Sequence, residues 1–317
     1  MTGLAVVELG KKAELRQMPR TALGPSEVEI KVHYSGVSVG TEMWIAFGRR
    51  DDYGPVPFIN GYQASGQITE VGSDVTDFAS KDWVTIFCDG SHAAYARTDV
   101  SRVHKVDPRV LREACLFVQP SVGAHALNAV SVQCGDTVLI TGQGLIGQMT
   151  AQLARLRGAF VVATDVSDPR LELSRAYCAD VVIDARTGPV NDQLRKILPN
   201  GAEVVIESTG FEPVLKDALL CAAQGGRFVF EGYFPGDIHF DFNQPHGKQL
   251  RAFFPCFIGP RSNREGVLRL MQRGSLKINE LVTHLTDWKD SEAVYNKLFT
   301  SERDSFNGIV FDWRDAE

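Results

Sequence analysis

The pattern of apolar and polar positions changes character near residue 119. Before that point, short β-forming runs separated by glycine and proline predict strands, among them Val28–Val32, Ala64–Val71 and Asp82–Phe87. Helical periodicity is weak in this part of the chain, apart from Arg109–Val118. The pattern therefore predicts a β-rich first domain.

Beyond that point, predicted strands alternate with predicted helices. The strands are Thr137–Ile140, Phe160–Thr164, Asp180–Ile183, Val204–Ile206 and Gly226–Glu231, and helices are predicted at Leu145–Leu156, Arg170–Tyr177, within Val190–Leu198 and at Pro213–Ala223. This order predicts an α/β domain with a doubly wound parallel sheet and helices on both faces. Continuous apolar strands are typical of sheets covered on both sides.

After residue 260, two more helices precede a last strand at Gly308–Trp313. We expect this segment to return to the first domain. The predicted organisation is a β-rich domain at 1–118, an α/β domain at 119–259 and the return at 260–317.

The turn after the first strand of the α/β domain carries the spacing G-x-G-x-x-G. Gly142 allows the tight turn, Gly144 lets the backbone approach a pyrophosphate, and Gly147 lets the helix pack close to the strand. The helix N-terminus then offers N–H groups and a positive dipole end to phosphates. Asp165 ends the next strand, where it can accept hydrogen bonds from the two ribose hydroxyls of an adenosine. Because a 2′-phosphate would meet this carboxylate, the motif predicts NAD in preference to NADP.

Other residues are predicted to line the same cofactor. The candidates in the turn are Gly142, Gln143, Gly144, Leu145, Ile146 and Gly147. Arg170 could stack on the adenine. Thr209, Gly210, Glu231 and Gly232 are predicted to lie toward the nicotinamide, mostly through backbone atoms.

Composition narrows the class of protein. The chain has 317 residues, of which 44% are hydrophobic and 23% charged, and this favours a soluble globular protein of about two domains. The net charge of −6 without a Lys/Arg block argues against nucleic acid or an anionic membrane as partners. No signal-peptide pattern or spanning apolar run is seen, and the six scattered cysteines include no C-x-x-C pair. We therefore expect reduced thiols and a cytoplasmic location.

Several motifs resemble the medium-chain dehydrogenase/reductase superfamily. They are Gly61–Gly72 (G-Y-Q-A-S-G-Q-I-T-E-V-G), Glu207–Gly210, Gly225–Gly232 and Thr283-His284. The resemblance covers nearly the whole chain and implies a GroES-like catalytic domain beside a Rossmann domain. It also implies hydride transfer between a nicotinamide cofactor and a small-molecule substrate in the cleft between the domains.

Within the superfamily, the chain is most similar to the bacteriochlorophyllide dehydrogenase branch. The shared signatures are Gly36–Glu42 (G-V-S-V-G-T-E), Gly61-Tyr62 and the ending Asp312–Ala316. That branch oxidises a 3-(1-hydroxyethyl) group on a chlorin ring to acetyl. A chlorin, a sugar or a polyol remains open as the substrate.

The resemblance also shows what this chain lacks. The catalytic zinc ligands of the zinc-dependent members correspond to Ser38, Tyr62 and Val118, and none of these is a normal Zn²⁺ ligand. The run of four cysteines that holds a structural zinc is missing as well. We therefore predict an enzyme without zinc.

Hydride transfer from an alcohol needs a group that takes the hydroxyl proton. Tyr62 is the first candidate, with filling of the vacated zinc space as the alternative, and Ser38, Thr41 and Glu42 follow. His92 matches a superfamily position that is usually structural. The predicted function is a zinc-independent, NAD-dependent interconversion of a secondary alcohol and its ketone. The alternatives are a zinc-free NADPH-type quinone or enoyl reductase and a catalytically silent nucleotide-binding protein.

Members of the superfamily commonly dimerise through the edges of their nucleotide-domain sheets. Here Asp237–Phe242 alternates polar and apolar residues and is predicted to be that edge strand. We therefore expect a homodimer.

Overall fold

The structure, a computed structural model, describes residues 1–20, 22–50 and 54–317. It divides into two compact units, the first made of Met1–Val118 with Leu268–Glu317 and the second of Gln119–Val267. Among the helices of the described residues, none is long and apolar enough to cross a membrane.

The N-terminal segment of the first unit is mainly β-structure. Its elements are β1 (Thr2–Glu8), β2 (Lys12–Gln17), β3 (Glu27–Val37), α1 (Val39–Ala46), β4 (Phe58–Ile59), β5 (Gln63–Val71), β6 (Trp83–Phe87), β7 (Tyr95–Asp99), β8 (Val103–Lys105) and α2 (Leu111–Ala114). Strand β3 shows the sequence logic, because alternate residues Val28, Ile30 and Val32 are completely buried. They belong to one core with residues of β5, β6 and the C-terminal strand.

The second unit alternates helices and strands. Its elements are α3 (Val118–Ala129), β9 (Thr137–Thr141), α4 (Leu145–Leu156), β10 (Phe160–Asp165), α5 (Asp168–Leu173), β11 (Val181–Asp184), α6 (Val190–Leu194), β12 (Ala202–Glu207), α7 (Glu212–Cys221), β13 (Ala222–Phe230), α8 (Asn243–Gly247), β14 (Arg251–Phe253) and α9 (Arg261–Gln272). The strand order is β11-β10-β9-β12-β13-β14, with every pair parallel. This confirms the predicted doubly wound sheet, whose topological switch point lies between β9 and β12.

The C-terminal segment completes the first unit. It contains β15 (Val282–Asp287), α10 (Ser291–Lys297) and β16 (Gly308–Asp312). Strand β16 pairs with β3 in the sheet β15-β16-β3-β5-β6-β8, and β7 pairs with the other end of β3. The last strand therefore lies in the same sheet as β3 of the N-terminal segment.

Three local predictions were wrong. Helix α1 was missed, and in place of one helix over Arg109–Val118 the structure has the short α2 and the start of α3. The stretch Asp237–Phe242 forms no strand, and the sheet edge is β14. In that stretch the N–H of His239 donates to Oε1 of Glu212 at 2.9 Å, so a side chain takes the place of a strand partner.

Candidate functional site

Tyr62 lies at the start of β5, directly after Gly61, whose φ of +86° turns the chain into the strand. The side chain is 7% exposed, and its ring packs edge-on against Phe87 with centroids 5.8 Å apart. The hydroxyls of Ser38 and Thr41 hydrogen-bond to the phenol. Burial raises the pKa of the phenol well above its usual range, against the opposing effect of these two hydroxyls. Tyr62 is therefore a protonated hydrogen-bond donor at neutral pH.

Ser38 and Thr41 reach the phenol because α1 begins between them. Ser38 is the residue before the helix, and Thr41 lies in its first turn. We call Ser38, Thr41 and Tyr62 the hydroxyl cluster. The structure thus brings together three of the four residues that the sequence nominated as catalytic.

Glu42, the fourth candidate, has a different position. Its carboxylate is completely buried, with Oε1 accepting the backbone N–H of Ser38 at 2.7 Å. Oε2 lies 2.8 Å from Nε2 of His92 and accepts the hydroxyl of Tyr295 at 3.2 Å. Because its oxygens are engaged in this way, Glu42 holds the turn that carries Ser38.

A chain of hydrogen bonds supports this carboxylate. Trp313 Nε1 donates to Oγ of Ser35 at 2.8 Å, and that hydroxyl lies 2.8 Å from Nδ1 of His92. On another branch, the amide of Asn60 donates to the Tyr295 hydroxyl at 2.8 Å. Both ring nitrogens of His92 and both carboxyl oxygens of Glu42 therefore have partners, as buried polar groups require.

Sequence reasoning did not find these supporting partners. Tyr295 lies 253 residues from Glu42, and Trp313 lies 278 from Ser35. Only the signature Asp312–Ala316 pointed to the region that supplies Trp313. His92 was assigned a structural role, and its two ring nitrogens are occupied by the contacts just described.

The three positions that correspond to zinc ligands do not offer a zinc site. Ser38 and Tyr62 present hydroxyls that are hydrogen-bonded to each other, and Val118 uses only its backbone N–H, which donates to Oε1 of Gln63 at 3.2 Å. Over residues 1–20, 22–50 and 54–317, no group of three or more His, Cys, Asp or Glu side chains is arranged to hold a metal ion. The donor set therefore does not fit a catalytic zinc.

In the second unit, Gly142–Gly147, the glycine turn, joins β9 to α4. Gly142 has a φ of +84°, and a Cβ on Gly147 would clash with the carbonyl oxygen of Gly142. Gly144 precedes α4, no side chain caps the helix, and a Cβ on Gly144 would have no atom within 4 Å. The turn thus leaves open space at a helix N-terminus, and this fits the pyrophosphate of a dinucleotide.

The other turn residues contribute mainly backbone. The buried side chain of Gln143 bonds inward, with Nε2 donating to the Gly142 carbonyl at 3.1 Å and Oε1 accepting the Ser174 hydroxyl at 2.9 Å. Leu145 is buried and Ile146 is partly buried. Neither Gln143 nor Leu145 presents a polar side chain to a phosphate.

Asp165 lies at the end of β10, and its carboxylate already accepts hydrogen bonds from three backbone N–H groups. Oδ2 accepts the N–H of Gln143 at 2.6 Å, while Oδ1 accepts those of Val166 at 2.7 Å and Ser167 at 2.9 Å. A carboxylate has about four acceptor positions, so one on Oδ2 remains for a ribose hydroxyl. The sequence had predicted bonds to both hydroxyls. Arg170, on α5, is half-buried, and its Nε has no acceptor among the described residues.

Two glycines, Gly210 after β12 and Gly232 after β13, lie against each other where these strands end. Gly210 has a φ of +62°, and a Cβ on Gly232 would clash with the N–H of Gly210. Thr209 and Gly210 donate their N–H groups to the carboxylate of Glu207 at 2.8 and 3.2 Å. The predicted cofactor residues Thr209, Gly210 and Gly232 thus lie together, around a buried acid that the sequence did not single out.

Comparison with known proteins agrees with both units. The family "Zinc-binding dehydrogenase" matches residues 146–273, and "Alcohol dehydrogenase GroES-like domain" matches residues 24–110. A sorbitol dehydrogenase of Halalkalibacterium halodurans is 26% identical over 91% of this chain and 93% of its own. An L-threonine 3-dehydrogenase of Burkholderia ambifaria is 26% identical over 99% of both chains. The crystal structure of galactitol-1-phosphate dehydrogenase from Escherichia coli superposes with a TM-score of 0.89 at 19% identity, covering 98% of this chain and 100% of that one.

The fold, the glycine turn and these matches define a class. The chain belongs to the medium-chain dehydrogenase/reductase superfamily. Within it, the protein is an NAD(P)-dependent oxidoreductase of the alcohol dehydrogenase type, which confirms the predicted enzyme class.

Proposed function

We propose that the chain is a zinc-independent, NAD-linked dehydrogenase that interconverts a secondary alcohol and its ketone. The observation that carries the proposal is the hydroxyl cluster, in which Ser38 and the buried, protonated phenol of Tyr62 stand at two of the positions that correspond to zinc ligands, and Thr41 bonds to the phenol. A donor fixed in a low-dielectric site stabilises charge that develops on a carbonyl oxygen.

The chain's own residues then have distinct roles. Tyr62 donates a hydrogen bond to the substrate oxygen, and the hydroxyls of Ser38 and Thr41 exchange the proton with it. Glu42 positions Ser38 through the backbone N–H bond at 2.7 Å. The bound dinucleotide supplies or accepts the hydride. The residues that would hold it are those of the glycine turn, Asp165, and the backbone around Gly210 and Gly232.

The experiment combines cofactor and substrate. Purified protein is incubated with NAD or NADP and a panel of secondary alcohols, polyols and sugars, and reduced nicotinamide is followed by absorbance. We expect turnover with NAD. Tight NAD binding without turnover of any alcohol would favour the silent nucleotide-binding protein, and preference for NADPH with enones would favour the quinone or enoyl reductase.

Preference for NAD rests on Asp165. The substitution Asp165→Ser removes the charge that opposes a 2′-phosphate and should weaken NAD by about 1–3 kcal/mol while it improves NADP binding. Because Asp165 also accepts three backbone N–H groups, thermal melts of Asp165→Ser measure any damage to the turn separately from the loss of the ribose contact. Unchanged NAD affinity in Asp165→Ser would contradict the ribose contact.

The substrate class follows from two lines of support. The relatives described above are named as dehydrogenases of sorbitol, L-threonine and galactitol-1-phosphate, and the similarity to the bacteriochlorophyllide branch adds a hydroxyethyl chlorin to the candidates. Aromatic side chains at the end of the parallel sheet, Phe254 at 68% and Phe257 at 69% exposure, offer apolar surface on which any of these could stack. Among them, we propose a polyol or sugar alcohol first.

We also propose a homodimer formed through the edge of the parallel sheet. Among the described residues, strand β14 pairs with β13 on one side only, which leaves its other edge for a second copy of the chain. Sedimentation equilibrium should give twice the chain mass of 34.9 kDa. A monomer at micromolar concentration would contradict the proposal.

A further inference from the structure

Two buried carboxyl groups lie at adjacent strand ends in the second unit. Glu207 is the last residue of β12, and Glu231 directly follows β13. The carbonyl oxygen of Glu207 accepts the N–H groups of Glu231 at 2.9 Å and of Gly232 at 2.8 Å, so the two strand ends are joined. Glu207 is completely buried and Glu231 is 9% exposed. Two acids so placed cannot both ionise without a large electrostatic cost.

Hydrogen bonding distinguishes the two acids. Both oxygens of Glu207 accept backbone N–H groups, from Thr209 and Gly210, and Oε1 also accepts the Thr209 hydroxyl. Burial raises the pKa of Glu207, whereas these N–H donors and the Thr209 hydroxyl act in the opposite direction and favour its ionised form over that of Glu231.

Glu231 has no backbone donor for its carboxyl group among its partners. Oε1 accepts the hydroxyl of Thr150, on α4, at 2.8 Å, and the hydroxyl of Ser208 also bonds to the group. Oε2 is buried with no partner among the described residues. An unpaired oxygen is tolerated far better on a neutral acid than on a carboxylate, so Glu231 is the one of the two acids that more readily carries a proton.

The surroundings keep this proton exchangeable near neutrality. Burial, together with the charge of Glu207, raises the pKa of Glu231 to about 7, while the hydroxyls of Thr150 and Ser208 act in the opposite direction. Neither hydroxyl titrates in this range, and Glu207 is the charged group that acts on Glu231. A small change of charge nearby is therefore enough to move Glu231 between its two protonation states.

The position of Glu231 in the sheet indicates which part of a dinucleotide it faces. Asp165, at the end of β10, is placed for the adenosine ribose, and the glycine turn follows β9. Strands β12 and β13 lie on the other side of the switch point. A dinucleotide bound across that crevice extends its nicotinamide half over the ends of β12 and β13.

We propose that Glu231 takes up and releases a proton in step with the redox state of the bound nicotinamide. It is ionised beside the oxidised ring, which carries a positive charge. Beside the reduced ring, which is neutral, it is protonated to the same extent as in the free protein. The proposal rests on the proposed function, because it requires a bound nicotinamide dinucleotide.

Uptake of one proton by Glu231 conserves atoms and charge when an alcohol is oxidised to a ketone. When an alcohol is oxidised, its C–H bond breaks with transfer of a hydride to the ring, its O–H bond breaks, and a C=O bond forms. One proton remains, and the carboxylate of Glu231 takes up an equivalent proton. In ketone reduction the same acid gives the proton back. No further oxidant or reductant is needed.

Isothermal titration calorimetry tests the proposal with the intact chain. NAD⁺ and NADH are titrated separately near neutral pH, in buffers with different ionisation enthalpies, so that protons released on binding are counted. We expect NAD⁺ to release about half a proton per chain near pH 7, and NADH to release none. In Glu231→Gln, which is uncharged and of equal size, NAD⁺ should release no proton.

The ratio of the two affinities gives a second readout. Between about pH 6 and about pH 8, the preference for NAD⁺ over NADH should rise by up to about tenfold in the wild type and stay flat in Glu231→Gln. Asp192→Asn, an exposed acid on α6, should behave as the wild type.

The outcomes separate this proposal from the function on which it rests. Absence of binding by either nucleotide would overturn the proposed function itself. Tight binding of both nucleotides, with no proton release and a flat affinity ratio in the wild type, would overturn the role of Glu231 alone. Proton release that persists in Glu231→Gln would also overturn it, by assigning the proton to another group.

Discussion

Tyr62 carries the proposed chemistry at the scale of single residues. Its phenol hydrogen-bonds to the hydroxyls of Ser38 and Thr41, and burial keeps it protonated through neutral pH. The substitution Tyr62→Phe keeps the ring against Phe87 and removes only the donor. We expect kcat to fall by roughly 10²–10⁴-fold, the usual contribution of a positioned acid, with NAD affinity unchanged. Steady-state kinetics beside NAD titration measures both, and activity within a factor of two of the wild type would contradict the role.

The buried carboxyl group of Glu231 should make the stability of the fold depend on pH. Its pKa in the folded protein is about 7, above that of an exposed glutamate in the unfolded chain. The neutral form therefore stabilises the fold fully below the unfolded pKa, and this contribution is lost as the pH rises toward and through about 7. Glu231→Gln cannot ionise, so it should be more stable than the wild type near pH 8 by up to a few kcal/mol, with a smaller difference near pH 5. Urea unfolding at the two pH values measures the difference, and equal gains at both would contradict the assignment.

At the scale of elements, two glycines of the glycine turn have different roles, one in folding and one in cofactor binding. A Cβ on Gly147 would clash with the Gly142 carbonyl, whereas one on Gly144 would meet nothing within 4 Å, at a backbone φ of −68° that any residue adopts. We expect Gly147→Ala to destabilise the protein by about 1–3 kcal/mol or more, because α4 must move away from β9.

Gly144→Ala is the matched partner of that variant. It should retain wild-type thermal stability and lose NAD affinity by tenfold or more, about 1.4 kcal/mol, since its methyl group would occupy the space left for a pyrophosphate. Thermal melts and NAD titrations of the two variants provide the comparison. Wild-type NAD binding by Gly144→Ala would show that the phosphates lie elsewhere.

At the scale of the whole molecule, the sequence predicted the parallel sheet and not the details of the first unit. Continuous apolar strands and the glycine spacing are local signals, so they could be read directly. Helix α1 was missed because V-G-T-E-M-W-I-A has little helical periodicity and is held by contacts of the buried Glu42 with distant residues. The sequence also could not predict the hydrogen bonds that Asp165 accepts from nearby backbone N–H groups, because they depend on the directions of those groups in the folded chain.

The sequence predicted which residues form the candidate site, but it did not predict the role of each one. Ser38 and Tyr62 were nominated from the missing zinc ligands and Thr41 as a neighbouring candidate, and the structure brings the three together. Glu42 was nominated with them, yet it lies behind the cluster as a buried support. Glu231 was expected to contribute mostly backbone atoms, because nothing in its sequence neighbourhood reveals an unpartnered buried oxygen.

Metal content and activity, measured on the same preparation, test the central claim most directly. Purified protein is dialysed against a strong chelator, its zinc is measured by mass spectrometry, and its NAD-dependent oxidation of a secondary alcohol is assayed before and after. The hydroxyl cluster predicts undiminished activity in protein that holds no stoichiometric zinc. One tightly bound zinc per chain, whose removal abolishes turnover and whose return restores it, would contradict the account.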